Sequence, residues 1–143
     1  MNILLFGESC TGKSTLASQL KEDLGMNVYT GKDYLRLSKN KDEARDKFKT
    51  LLNDESENII FIATEIDEVA MVPDRVMKVL LTASLDTIIE RFSKRFRGHL
   101  PKPVEGMIKR KHGMFDDYEH DLLVNEDMTN DQAVQKIKRY LSQ

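Results

Sequence analysis

The stretch that most restricts what this chain can become is Gly7-Glu8-Ser9-Cys10-Thr11-Gly12-Lys13-Ser14, which fits G-x-x-x-x-G-K-[ST]. It stands between two segments of opposite character. Ile3, Leu4, Leu5 and Phe6 form a continuous apolar run, as a strand covered on both faces requires. Leu16, Leu20 and Leu24 recur at i+4 and draw one apolar stripe along a helix, with Gly25 placed to stop it. Strand, glycine-bounded loop and helix, in that order, build a cradle for an anion. Gly7 and Gly12 let the backbone turn tightly. Its N–H groups and the helix N-terminus then point at phosphate oxygens.

The remaining residue types divide the work. Gly7, Ser9, Cys10, Thr11, Gly12, Lys13, Ser14 and Thr15 are the expected nucleotide contacts. Lys13 brings a mobile positive charge to the β- and γ-phosphates, and the Ser14 hydroxyl is a ligand for a bridging Mg²⁺. Thr15 is the lesser candidate. The expected cofactors are therefore ATP and Mg²⁺. Cys10 reads as a small loop residue; as the one cysteine it excludes an internal disulfide and a cysteine-only zinc site.

Downstream, apolar runs alternate with amphipathic segments. Strands are expected at 27–30, 58–63, 75–81 and 121–125, and helices at 33–37, 42–52, 84–95, 104–118 and 129–141. Ser84 is placed to cap the third of these helices. Alternation of this kind means βαβ units around a parallel sheet. At 143 residues the chain is expected to form one domain, 1–143, with a sizeable core. The net charge of −2 excludes a polyelectrolyte binder, and no apolar run approaches the ~18 residues that span a bilayer. No secretory leader pattern opens the chain, so a cytoplasmic protein with no membrane partner is expected.

In an open parallel sheet, ligands sit beyond the carboxyl ends of the strands. The third strand ends in Glu65 and Asp67, one of which is expected to serve Mg²⁺; Glu68 is expected at the surface. The second strand ends in Thr30, followed by Asp33 and Arg36 at i,i+3, where an acceptor would lie. Arg36 offers a planar fork for phosphate or carboxylate. Asp33 could orient or deprotonate an acceptor hydroxyl, and is structural if the acceptor is a phosphate. Between Ser84 and His112 stand eight basic and three acidic residues, a segregation that fits polyanion binding. Arg91 and Arg95, at i+4, can act together on one phosphate chain, with 97–103 as a mobile lid tip. Lys94, Lys109 and Lys111 are expected on a solvated face. Aromatic residues do not interleave with these charges as stacking platforms, which disfavours nucleic acid.

Over nearly its full length the chain resembles P-loop kinases of the nucleoside-monophosphate-kinase type. "GESCTGKST" resembles their phosphate loop, and "YTGKDYLRL" the adenylate-kinase segment in which a Thr-Gly and a following Arg hold the acceptor. "DTIIERFSKR" resembles the helix leading into the lid, and the tail resembles the end of guanylate kinases. The resemblance implies a P-loop NTPase three-layer α/β sandwich with strand order 2-3-1-4-5 and a short lid. It implies ATP-dependent phosphoryl transfer to a small-molecule acceptor, with a nucleoside monophosphate foremost. Thr30 and Arg36 would bind that acceptor, and Lys13, Arg91, Arg95 and Asp33 would be catalytic. Departures keep two alternatives open, a kinase for a sugar acid or similar metabolite and a non-kinase nucleotide-binding module. "ATEIDEVA" stands where adenylate kinases carry Asp-Gly-Phe-Pro-Arg, and no full base-recognition subdomain is present.

Overall fold

The computed structural model describes residues 1–143. In chain order the elements are β1 Asn2–Phe6, α1 Lys13–Leu24, β2 Asn27–Tyr29, α2 Gly31–Leu35, α3 Lys41–Asn53, β3 Ile59–Ala63, α4 Ile66–Ala70, β4 Met77–Leu81, α5 Leu85–Arg95, α6 Lys102–Lys111, β5 Leu122–Val124 and α7 Asn130–Leu141. The five strands form one parallel sheet, as the alternation of elements implies, in the order β2-β3-β1-β4-β5 that the resemblance implies. β1 lies at the centre, Leu5 opposite Ile62 of β3 on one side and Val79 of β4 on the other.

Successive side chains of a strand point to opposite faces, so β1 feeds two cores. Ile3 and Leu5 join Leu16, Leu20, Val79, Val134 and Ile137, under α1 and α7. Leu4 and Phe6 join Phe48, Leu52, Phe61 and Phe115 on the other face. That second core is aromatic. Phe48 meets Phe61 edge-on at 4.8 Å and stacks on Tyr34 at 5.2 Å, while Phe6 meets Phe115 edge-on at 5.5 Å. Each such ring contributes about 1.5–3 kcal/mol by burial and about 0.5–1.5 kcal/mol by the pairing itself. The result is a three-layer sandwich that holds β1, and the loop leaving it, on a rigid base.

Several boundaries differ from the sequence expectation. β4 begins at Met77 rather than Arg75, because Arg75 turns away to bond Glu55 and the Asn53 carbonyl. α6 begins at Lys102, with Pro101 as N-cap and Pro103 in the first turn, where a missing N–H costs nothing. The connection expected over 97–103 is correspondingly shorter. α6 also stops at Lys111 instead of reaching Tyr118, and Gly113 follows with φ 80°. α4 is not among the helices the sequence leads one to expect. It forms because the Glu68 carboxylate accepts from the N–H groups of Thr64 and Glu65, both at 3.1 Å, and so closes the helix's own N-terminus.

Candidate functional site

Gly7 leaves β1 with φ 153°, and a Cβ there would run into the Leu81 carbonyl at the end of β4. The loop can leave the sheet this way only through glycine. Cys10 follows in the left-handed region at φ 65°, then Gly12 at φ 96° as N-cap of α1. The Thr11 hydroxyl donates to the Glu8 carbonyl at 2.8 Å and braces the curve. Lys13 lies folded into it, 6% exposed, its Nζ donating to the carbonyls of Gly7 at 2.7 Å and Glu8 at 2.5 Å. Burial lowers its pKa to about 8; the Arg95 charge also lowers it, against opposing contributions from Cys10, Glu8 and Glu68. An incoming phosphate must take this ammonium from two carbonyls, and offers a full charge in exchange. Ser14 and Thr15 are exposed in the first turn of α1.

Two cavities flank the loop. The larger, 390 Å³, lies toward α7 and is lined by Thr15, Arg91, Arg95, Asn125, Glu126 and Asn130 among others. Arg91 is fixed there, its Nη1 donating to the Cys10 carbonyl at 2.7 Å. Arg95 stands over the Phe92 ring at 5.5 Å. Glu126 accepts from the Ser84 N–H at 3.1 Å; the Thr87 hydroxyl and that N–H hold its carboxyl below the usual range. Both arginines thus share one cavity with the phosphate loop, where the sequence expected them. The segment around Asn125–Asn130 was not singled out. Its signal was positional, since it follows a strand end on the same sheet edge as the loop.

The smaller cavity, 170 Å³, lies toward β3. Glu8, Ser9, Thr64, Glu65 and Lys111 line it together with five apolar side chains. Glu8 was not singled out. Its carboxylate, 12% exposed, pairs with His112 Nδ1 at 3.1 Å and accepts from the Gly113 N–H at 3.2 Å, tying the phosphate loop to the end of α6. Lys94, Lys109 and Lys111 lie exposed, as expected, in surface pairs with Glu90 at 3.6 Å, Glu105 at 3.2 Å and Glu65 at 3.9 Å. Glu65 is the N-cap of α4. Asp67 accepts from the Glu68 N–H at 3.1 Å and does not line the cavity. Glu68, expected at the surface, is half-buried and closes the capping box of α4 from its third position, with its carboxylate beside Gly31.

Thr30, Asp33 and Arg36 stand together at the end of β2 but line neither cavity. Asp33 Oδ2 accepts from the Thr30 N–H at 2.8 Å and the Thr30 hydroxyl at 2.9 Å. These bonds, the backbone one foremost, hold its carboxyl below the usual range and make it a weak base. Arg36 is 79% exposed, with Asp33 at 3.9 Å.

Residues 3–93 match the family described as ATPase family associated with various cellular activities (AAA). The chain belongs to this family. No curated protein matches the sequence. Among solved structures similar to this AAA-family chain is an uncharacterized protein from Eubacterium ventriosum, with TM-score 0.74 and 18% identity over 99% of this chain and 98% of that one. A shikimate kinase from Acinetobacter baumannii, in complex with shikimate, superimposes with TM-score 0.66 at 16% identity over 98% and 92%. A gluconokinase from Sinorhizobium meliloti does so with TM-score 0.63 at 14% identity over 99% and 95%. At these identities the likeness is one of fold: a P-loop NTPase sandwich. No helix is long and apolar enough to cross a membrane.

Proposed function

We propose that this AAA-family chain transfers the γ-phosphoryl of Mg-ATP to a hydroxyl of a small acceptor. The observation that carries this reading is the pair of cavities on opposite sides of one phosphate loop. A module that only binds or hydrolyses nucleotide has no use for the second. The similar structures titled shikimate kinase and gluconokinase support the same reading through the fold. A cytoplasmic setting and a single domain, 1–143, go with it.

In this reading the nucleotide lies in the larger cavity and its phosphates lie along the loop, on the N–H groups of residues 9–15 and the N-terminus of α1. Lys13 leaves the Gly7 and Glu8 carbonyls for the β- and γ-phosphates. Arg91 and Arg95 neutralise charge that spreads over the transferring oxygens. The exposed Ser14 hydroxyl and the Glu65 carboxylate, hard oxygen donors, fit Mg²⁺. When bound, that ion neutralises charge on the bridging phosphate oxygens. Glu65 is preferred to Asp67 because it shares the small cavity with Ser9 of the loop. The connection between α5 and α6, at the tip of the expected 97–103 lid, would close over both substrates. A loose transition state leaves little work for a base, so Asp33 serves α2 as its cap rather than the chemistry.

The second reading keeps a nucleoside monophosphate as acceptor. The exposed, loosely paired Arg36 fork favours it, because such a group is free to take a phosphate. The experiment is consumption of Mg-ATP with product identification by mass spectrometry, run against nucleoside monophosphates, nucleosides, sugar acids and small ring alcohols. Phosphorylation of any non-nucleotide hydroxyl supports the first reading, and of a monophosphate the second. Slow hydrolysis that no acceptor accelerates would remove both.

A further inference from the structure

The small cavity is specific enough in size and lining to name the chemistry of its occupant. An apolar cavity of about 150 Å³ takes up one benzene ring, and this one has 170 Å³. Beneath its open mouth it therefore has room for one six-membered ring with a short substituent. A nucleoside monophosphate, with base, ribose and phosphate in series, exceeds it; ordinary ligand pockets begin at about 300 Å³. Its walls are Ile88 and Phe92 of α5, Met107 and Ile108 of α6, and Met114 just beyond. Two of these are methionines, which fit themselves to irregular apolar shapes. No arginine lines it.

Its charges point the same way. The ionisable groups on the wall are Glu8, Glu65 and Lys111, two carboxylates against one ammonium. The ammonium stands 3.9 Å from Glu65, and Glu8 is engaged by His112 and the Gly113 N–H. With Glu65 taken up by Mg²⁺ and Lys111, and Glu8 by its own partners, a carboxylate or phosphate on the occupant would find no guanidinium fork on this wall. A neutral ring needs none. The polar groups lie on the phosphate-loop and β3 side, with Ser9 and Thr64, so a hydroxyl on the ring's substituent would face the transferring phosphoryl group.

We propose that the acceptor is a neutral one-ring alcohol with a largely apolar body, seated between the phosphate loop, α5 and α6, rather than a sugar acid or a nucleotide. The proposal rests on the phosphotransferase reading for its chemistry, but the selectivity of the cavity can be read without turnover. The chain is labelled at its methionine methyls and saturated with Mg²⁺ and a non-hydrolysable ATP analogue. The Met107 and Met114 signals, assigned through Met107→Leu and Met114→Leu, are followed during titration with benzyl alcohol, cyclohexanemethanol, gluconate and AMP. The two ring alcohols should move both signals, and gluconate and AMP should bind there about tenfold more weakly or not at all. Met107→Glu, at a position 38% exposed and so tolerant of the change, should weaken ring binding by about tenfold. Signals that ignore both ring alcohols, or respond first to gluconate or AMP, would overturn the inference. Transfer from Mg-ATP is read in parallel by phosphorus NMR. Ring alcohols that bind but are never phosphorylated would overturn the phosphotransferase reading and leave the selectivity standing. Phosphorylation of gluconate with no response to the ring alcohols would do the reverse.

Discussion

The two sides of the phosphate loop are built from different materials. Toward α7 the 390 Å³ cavity is bounded by loop backbone, two arginines and the start of α7, with Arg91 already bonded to the loop at Cys10. Toward β3 the 170 Å³ cavity is bounded by side chains of α5 and α6, of the turn between β3 and α4, and of the segment after α6. Phosphate is the same anion in every nucleotide, so backbone N–H groups and fixed cations suffice to hold it. An acceptor differs from one enzyme to the next, so its site is left to side chains that can change without disturbing the sheet. Even the polar groups differ in employment. Lys13 is held in reserve for a ligand, whereas Asp33 and Glu68 are engaged in capping α2 and α4.

The largest expected effect lies on the loop itself. Lys13→Ala should lower turnover by about 10²–10³-fold, since it removes a donor aimed at developing charge. Circular dichroism should show the fold retained; near-normal turnover would remove the nucleotide side of the comparison. Next comes Arg91→Ala, which should weaken ATP binding by about tenfold through loss of a charge-assisted contact, measured by calorimetry. It should leave ring-alcohol binding in the small cavity within about twofold, by the additivity of separate sites. Equal losses on both sides would mean that the cavities are not independent.

The pH dependence is smaller and has two opposite signs. The Lys13 ammonium has a folded pKa of about 8 against an ordinary value of 10.5. Between these values the unfolded chain binds more protons than the folded one. Its contribution to stability therefore rises with pH across that window, by at most about 1.4 kcal/mol per unit. It is read as the difference between the wild type and Lys13→Met in urea titrations. ATP binding needs the charged form, so affinity should fall as pH rises above about 8, by no more than about tenfold per unit, in a calorimetric pH series. A flat wild-type profile from pH 7 to 10 would mean that Lys13 is not the group the phosphates engage.

The smallest effect separates the two acceptor readings. Arg36 is 79% exposed and its partner lies at 3.9 Å, so Arg36→Ala should change stability by less than about 0.5 kcal/mol. With a ring alcohol as acceptor, kcat/KM should stay within about twofold. With a monophosphate as acceptor it should fall by about ten- to hundredfold, and Arg36→Lys should restore only part of that. Steady-state kinetics of the three proteins reads the difference directly.

The sequence alone determined a parallel sheet and the phosphate loop, and the resemblance it carries implied the strand order. The first two depend on local signals: an apolar run such as Ile3–Phe6, a stripe at i+4, and two glycines at a fixed spacing that only a strand–loop–helix junction can use. The pairing of Arg91 and Arg95 was legible for the same reason, because one helix sets their geometry. The small cavity was not legible. It joins Glu8 to His112 and Gly113, and Glu65 to Lys111, across long stretches of chain, and those meetings exist only once α6 has packed against α5 and brought its end to the phosphate loop. Nor could spacing reveal that Asp33 and Glu68 would turn back onto their own helix ends. Whether a carboxylate faces a ligand or a backbone N–H is decided by competition among hydrogen bonds in the folded chain, and only the tertiary structure settles it.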